Sequence, residues 1–158
     1  MTGEVERRLR ALEDEREILR TLYRYGHSLD YGAEAEWVDC FTQNGVYELR
    51  YRDADTGGRP TRYEGHAELE KFARGHSRAP DRYHKHLVVE PVIEVVGDEA
   101  AVTSYFLRVD AEGGERRIYA FGRYIDHLVR EADGCWRFTC RLAEIESRAA
   151  VAAPRRVP

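Results

Sequence analysis

Three short segments carry side chains that could transfer a proton. The first holds Tyr25 and Asp30, five residues apart near the end of a predicted helix. Five residues turn a helix through about 500°, so both side chains border the same flank. His84 and His86 open a predicted strand and share one of its faces, and Asp110 ends the next strand. Such residues are typical of general acid–base chemistry.

Each of these residues also has a structural interpretation. Asp30 lies near a helix C-terminus, where the macrodipole disfavours a negative charge, so it either has a hydrogen-bonding partner or belongs to an exposed turn. A histidine in a strand is more often a hydrogen-bonded core residue or a surface residue than a catalyst. The spacing of His84 and His86 would suit a metal, but no third and fourth ligands are evident, so no metal is predicted.

Other polar and aromatic residues are candidates for the surface or for contact with a substrate. Four residues with charged or polar neighbours are predicted to be exposed: His66, His76, Asp126 and His127. Tyr119 and Phe121 alternate with Arg123 on one strand face, where they either line a pocket or form ordinary sheet packing. Tyr47, by its place after the second helix, and Trp37 are further candidates for substrate contact.

The periodicity predicts helices first and long strands afterwards. An apolar stripe from Val5 through Leu9 and Leu12 to Leu29 marks the first helix, and Asn44-Gly45 indicates a turn. Helices are predicted at 4–31, 33–41 and 66–74, a loop at 53–60, and strands at 46–52, 61–64, 84–96, 100–109, 116–130 and 135–146.

This order of elements predicts an α+β fold. We expect a cone-shaped α+β barrel, in which N-terminal helices pack on a curved antiparallel sheet around one pocket. Residues 1–148 are predicted to form a single domain, followed by a disordered tail at 149–158 that is rich in small residues and proline.

The composition excludes several classes of partner. The net charge is −4, which disfavours nucleic acid, and no apolar run approaches the roughly 20 residues of a membrane span. Cys40, Cys135 and Cys140 cannot all form disulfides, and the charged N-terminus does not look like a signal peptide. We therefore predict a cytoplasmic protein with reduced thiols.

Several short motifs occur in an order that is characteristic of a known family. They are Arg24-Tyr25 followed by Leu29-Asp30, the segment from Phe41 to Tyr47, Tyr63-Glu64-Gly65, His86 before an apolar strand, Gly122-Arg123-Tyr124 before Asp126, and the segment from Asp133 to Phe138. Together they resemble the SnoaL-like branch of the nuclear-transport-factor-2-like superfamily, over about residues 10–148. Within that branch the pattern is most similar to scytalone dehydratase and bile-acid 7α-dehydratase.

The resemblance implies a function and assigns residues to it. His86 and Asp30 match the base and its partner, Tyr25 matches the helix tyrosine, and Asp110 lies near the fourth residue, although a register shift of one would turn it to the other face. The relatives need no metal or organic cofactor and are commonly dimers or trimers. The implied activity is a dehydratase-type lyase acting on a small apolar or cyclic carbonyl or hydroxyl compound. An isomerase or aldol-type cyclase for a polyketide- or steroid-like substrate, or a non-catalytic binding module, is the alternative.

Overall fold

The computed structural model describes residues 2–52, 60–112 and 114–149. The predicted loop, apart from Pro60, and the predicted tail, apart from Ala149, lie outside these described residues. The helices are α1 (Thr2–Tyr31), α2 (Glu34–Val38) and α3 (Gly65–Gly75), and the strands are β1 (Phe41–Tyr51), β2 (Thr61–Glu64), β3 (His84–Val96), β4 (Glu99–Glu112), β5 (Glu115–Arg130) and β6 (Trp136–Arg148). In this described part of the chain, no helix combines the length and apolar character needed to cross a membrane.

The strands form one curved sheet in the order β2-β1-β6-β5-β4-β3. The predicted α+β class is confirmed, with the helices packed against this sheet. The prediction of a purely antiparallel sheet is wrong at one place, because β1 pairs with β6 in parallel. The two strands are far apart in the sequence, so the intervening chain supplies the crossover that a parallel pair requires. β2 and β3 are the end strands, so the sheet does not close into a barrel.

Helix α1 enters the core only over its second half. Leu22 and Leu29 are buried, as the predicted stripe requires, and Ile18, which lies outside that stripe, is buried as well. The predicted apolar stripe is wrong for the first half, where Leu9 is 54% exposed and Val5 and Leu12 are each 65% exposed. Burial along the described part of α1 begins only at residue 14, so the sheet does not cover the apolar residues before it.

The predicted turn at Asn44-Gly45 is instead part of β1, which begins at Phe41. The pairing of β1 with β6 shifts between Phe41 and Val46, as it does at a β-bulge. A Cβ atom at Gly45 would lie 2.9 Å from the carbonyl oxygen of Phe138. Glycine is needed here because another backbone approaches closely, and the Asn-Gly pair therefore does not mark a turn.

Candidate active site

Asp30 and His86 meet where the end of α1 lies against the start of β3. Oδ1 of Asp30 is 2.6 Å from Nδ1 of His86, and Oδ2 accepts a hydrogen bond of 3.0 Å from the backbone N–H of the same histidine. Both carboxylate oxygens are thus bound to one residue. This clamp fixes the orientation of the imidazole ring, because the carboxylate holds the ring and its backbone together.

Two glycines, one within α1 and one just after its end, allow Asp30 to approach His86. A Cβ atom at Gly26 would lie 2.9 Å from the backbone oxygen of His86, so the absence of a side chain lets the helix lie directly on the strand. Gly32 has φ of 74°, a left-handed conformation that ends the helix two residues after Asp30. The carboxylate is therefore presented from the last turn of a helix that is closely packed against β3.

The electrostatics of the pair fix its protonation pattern. Burial of Asp30 raises its pKa, but the hydrogen bonds and charge of His86 outweigh burial and lower the pKa below its ordinary value. The ionised carboxylate can only accept, so Nδ1 of His86 carries the proton and donates it. In the neutral imidazole, Nε2 is then the ring nitrogen with a lone pair, and it is the one that can act as a base.

His86 lies in the wall of a cavity of about 210 Å³. Most of the wall is aromatic or aliphatic, and four side chains with basic nitrogen atoms interrupt it. The wall comprises Tyr47, Leu49, Tyr51, Phe72, His76, His86, Phe106, Arg108, Tyr119, Ala120, Tyr124, Ala143, Ile145 and Arg148. Apolar walls with a few convergent polar groups are typical of small-molecule sites.

Arg108 and Tyr47 are two hydrogen-bond donors in the wall of the cavity. Arg108 is paired with His86 across the β3–β4 ladder, and its guanidinium lies over the ring of Tyr119 at 4.7 Å from the ring centre. Burial raises the pKa of Tyr47 to about 12, so its hydroxyl keeps its proton at neutral pH. Both groups can donate to an oxygen atom of a ligand.

The structure separates the aromatic residues that were predicted to contact a substrate. Tyr47 and Tyr119 lie in the cavity wall, but Trp37 does not, since it is fully buried in the core. Tyr25 also lies behind the wall, with its ring centre 6.2 Å from that of Tyr47, so its predicted direct contact with a substrate is not supported. Phe121 is 44% exposed on the outer face of the sheet.

A bulge in β5 explains why Tyr119 and Phe121 differ. Arg108 pairs with Ala120 and Val109 pairs with Ile118, which leaves Tyr119 as an extra residue. The extra residue changes which side chains face inward, because two residues of one strand then oppose one residue of its partner. The prediction from simple alternation, which placed Tyr119 and Phe121 on one face, is therefore wrong.

Asp110 is fully buried, but it is not part of the cavity wall. It pairs with His84 across the β3–β4 ladder, whereas Arg108 occupies the position opposite His86. Its carboxylate accepts hydrogen bonds from Nε and Nη2 of Arg108, at 2.8 and 3.1 Å, and from Nη2 of Arg82 at 3.1 Å. Asp110 is therefore not placed for the predicted catalytic contact with a substrate in this cavity. Its carboxylate instead orients the side chain of Arg108.

His76 and Asp126 were predicted to be exposed, and both predictions are wrong. His76 follows α3 and lies in the cavity wall. The segment after it is tied to the end of α1, because the backbone N–H of Ala79 donates to the carbonyl oxygen of Asp30 at 3.1 Å. Nothing in the local sequence around His76 reports this long-range anchoring, so sequence reasoning missed the residue.

Asp126 forms a buried ion pair with Arg141 behind the cavity. Nε of Arg141 is 3.2 Å from Oδ1 of Asp126, and both side chains are fully buried. The guanidinium also lies over the rings of Tyr25, Tyr124 and Phe138, at 4.0, 3.8 and 4.5 Å from their centres. Burial raises the pKa of Asp126 to about 7, although the charge of Arg141 lowers it.

These features agree with the family to which the chain belongs. The model of the SnoaL-like domain family matches residues 10–141, so the chain is a member of that family. Comparison with curated proteins found no match.

Three similar solved structures show the same fold. An NTF2-like protein with a cystatin-like fold from Novosphingobium aromaticivorans is 21% identical, with a TM-score of 0.78 over 92% of this chain and 90% of that chain. The β subunit of a proposed aromatic-ring-hydroxylating dioxygenase from the same organism is 22% identical, with a TM-score of 0.74 over 89% and 94%. ActVI-ORFA from Streptomyces coelicolor is 21% identical, with a TM-score of 0.66 over 83% and 96%. At these identities the similarity establishes the fold alone.

Proposed function

We propose that this protein is a cofactor-independent lyase of the dehydratase type, acting on a small cyclic compound with a carbonyl group and a hydroxyl group. The observation that carries this proposal is the 2.6 Å contact between Asp30 and His86 at the wall of an aromatic cavity. A base within hydrogen-bond distance of an orienting carboxylate is the arrangement that proton abstraction requires.

In the proposed reaction, Nε2 of His86 removes a proton from the carbon next to the carbonyl group. The electron pair of the broken C–H bond forms an enolate, and Asp30 stabilises the imidazolium that results. The enolate then forms a carbon–carbon double bond and expels the hydroxyl group on the neighbouring carbon. That group leaves with the proton of the imidazolium, so one water molecule is released and His86 is neutral again.

Arg108 and Tyr47 supply the stabilisation of the enolate oxygen in this proposal. Developing negative charge is stabilised most by donors that are already oriented and shielded from water. Asp110 holds the Arg108 side chain through two of its nitrogen atoms, and the ring of Tyr119 supports its face. The donor is therefore oriented before a substrate arrives. Tyr47 is assigned this role instead of Tyr25, the match to the family's helix tyrosine, because Tyr25 lies behind the cavity wall.

The cavity indicates the size and polarity of the substrate. Its volume of about 210 Å³ is below the roughly 300 to 1,000 Å³ that is usual for drug-sized ligands, which favours a compound with one ring. Arg108 and Arg148 contribute positive charge to the wall, and among the described residues no Asp or Glu belongs to it. A substrate that develops negative charge during the reaction suits this wall.

An isomerase or an aldol-type cyclase is the second candidate within the same site. Both begin with the same proton abstraction by His86 and differ only in what the enolate does next. A non-catalytic binding module is the candidate from another class, and the similarity in fold to a dioxygenase β subunit motivates it. That module would use the cavity without needing the contact between Asp30 and His86.

Exchange of a carbon-bound proton tests the proposal before the natural substrate is known. Cyclic β-hydroxyketones of one ring are incubated with the protein in deuterated water, and NMR follows both deuterium uptake next to the carbonyl and formation of the conjugated enone. We expect His86→Ala and Asp30→Asn to lower the exchange rate by about 10²- to 10⁴-fold, since positioned general base catalysis contributes that much. His127→Ala, which changes an exposed histidine of β5, is the matched control and should leave exchange unchanged.

The outcomes separate the three candidates. Exchange with loss of water supports the lyase, whereas exchange that depends on His86 without loss of water supports the isomerase or cyclase. Binding of the ketones in the absence of exchange by the unaltered protein would overturn the catalytic proposal in favour of the binding module. Equal rates for the His86 variant and the unaltered protein would show that another group is the base.

A further inference from the structure

Three histidines that are separated in the chain converge beside the cavity. His76 follows α3, while His84 and His86 share the inner face of β3. Their ring centres are 5.2 Å apart for His76 and His84, 5.5 Å for His76 and His86, and 5.1 Å for His84 and His86. One nitrogen of each ring lies within 4.8 Å of the corresponding nitrogens of the other two.

Two of the rings are oriented in the way that metal-binding histidines are. Nδ1 of His86 donates to Asp30 at 2.6 Å, and Nδ1 of His76 donates to the carbonyl oxygen of Ser77 at 2.8 Å. Each bond fixes the tautomer and leaves Nε2 with a lone pair. Histidine ligands almost always donate their other ring N–H to a carboxylate or a backbone carbonyl in this manner.

The third ring lacks the hydrogen bonds that its burial calls for. His84 is 2% exposed, and within the described part of the chain neither of its ring nitrogens forms a hydrogen bond. Nε2 lies 3.4 Å from the Asp30 carboxylate, near it without bonding to it. A buried polar group normally has a partner, and an unpaired one points to a group that is present when the site is filled.

We propose that His76, His84 and His86 form a site for one divalent transition-metal ion of the zinc type. Imidazole nitrogens suit zinc. The three histidines occupy three positions of a tetrahedral site and leave the fourth position open on the cavity side. Nitrogens bound to one tetrahedral zinc ion at about 2.0 to 2.1 Å lie about 3.3 Å apart. The ring nitrogens lie within 4.8 Å of one another, so the rings must rotate to bring them closer when they bind the ion.

Carboxylates near the three histidines favour a bound cation, although the positive charge of Arg108 opposes it. The carboxylate of Asp30 lies directly behind His86 and supplies a negative charge. Arg108 faces the same region, but Asp110 pairs with it at 2.8 Å and is itself fully buried. Asp110 also pairs with Arg82, so it offsets the positive charge of Arg108 in part before an ion enters.

Metal and substrate compete for one atom in this site. Zinc takes the lone pair of Nε2 of His86, which is the same lone pair that accepts the proton from the substrate. The metal therefore acts as an inhibitor that displaces the base chemistry. This consequence rests on the proposed function, whereas the binding of the metal does not.

Calorimetric titration with ZnCl₂ tests the binding, using protein without a histidine tag in a buffer without chelator. We expect one ion per chain, and we expect His76→Gln and His84→Gln to abolish that binding. Asp30→Asn should weaken it about 10- to 100-fold, as removal of an outer partner does. His127→Gln is the control for adventitious surface binding and should bind as the unaltered protein does. Circular dichroism verifies that each variant is folded.

The result that would overturn the site is clear. Absence of binding by the unaltered protein, or binding that survives in a folded His76→Gln variant, refutes it. A zinc-saturated protein that still exchanges substrate protons at the metal-free rate refutes the competition. Failure of the proposed function appears differently, since the unaltered protein would then bind zinc as expected and exchange no protons with or without it.

Discussion

Replacement of Arg141 by methionine tests the buried ion pair without any knowledge of the substrate. Nε of Arg141 lies 3.2 Å from the Asp126 carboxylate, and neither side chain is exposed. Burial raises the pKa of Asp126 to about 7, and the charge of Arg141 is what lowers it. Methionine removes that charge while it keeps an unbranched side chain, so the pKa of Asp126 should rise further in the variant.

The magnitude follows from the protons bound by the folded and unfolded chains. In the unaltered protein, folding raises the pKa of Asp126 above its ordinary value of 3.8. The favourable contribution of Asp126 to the free energy of unfolding is therefore present at low pH and is lost as the pH rises through about 7. Above pH 7 this loss of unfolding free energy levels off in the unaltered protein but continues in Arg141→Met, because the pKa of Asp126 is higher in the variant. We therefore expect the destabilisation caused by Arg141→Met to be roughly 1 kcal/mol greater at pH 8 than at pH 6.

Urea unfolding followed by tryptophan fluorescence at pH 6, 7 and 8 measures this difference. Arg137→Met is the matched control, because Arg137 also lies on β6 but its partners, such as Asp133, are exposed and need no buried proton. Its destabilisation should not change over this pH range. In Asp126→Asn/Arg141→Met the pH-dependent increment should vanish. A pH-independent loss in Arg141→Met would refute the reasoning about the buried carboxyl.

Three further substitutions have outcomes that follow from close contacts. In Gly26→Ala the new Cβ would lie 2.9 Å from the backbone oxygen of His86, so α1 must move away; we expect proton exchange to fall by about 10-fold or more, measured by NMR, since a misplacement of 1 Å can cost about 10²-fold. In Gly122→Ala the Cβ would lie 2.0 Å from the backbone oxygen of Glu144, and urea unfolding should show a loss of about 4 kcal/mol or more. Tyr47→Phe should lower the exchange rate by about 10²-fold with unchanged thermal stability, which is less than the loss on removing the base.

The periodic parts of the fold could be predicted from the sequence, because local patterns report them. The predicted strand at 84–96 coincides with β3, and the predicted strand at 61–64 coincides with β2. The hairpin signals at Gly97-Asp98 and Asp133-Gly134 fall between strands as expected. The parallel pairing of β1 with β6 could not be predicted in this way, since no local pattern specifies which distant strand becomes a neighbour.

The candidate site was predictable only in part. Asp30 and His86 are 56 residues apart in sequence, and the family resemblance, not their spacing, predicted that they meet. The inward position of His76 depends on the anchoring of an irregular segment. Asp126 stands beside the exposed His127, and alternation along β5 is what turns it into the core. Tertiary contacts, which the local pattern does not encode, determine the positions of Asp30, His86 and His76, whereas the alternation along β5 is a local signal for Asp126.

The bulge at Tyr119 adds one aromatic side chain to the cavity wall without changing the pairing of the residues on either side of it. Beyond the bulge, Ala120 and Tyr124 face inward, whereas Ile118, just before it, is 56% exposed. Loss of a single residue at Tyr119 would restore an uninterrupted ladder and remove one aromatic side chain from the cavity wall, while Ile118 and Ala120 keep their partners on β4. The cavity could thus lose an aromatic side chain in one genetic step, while the residues around His86 stay unchanged.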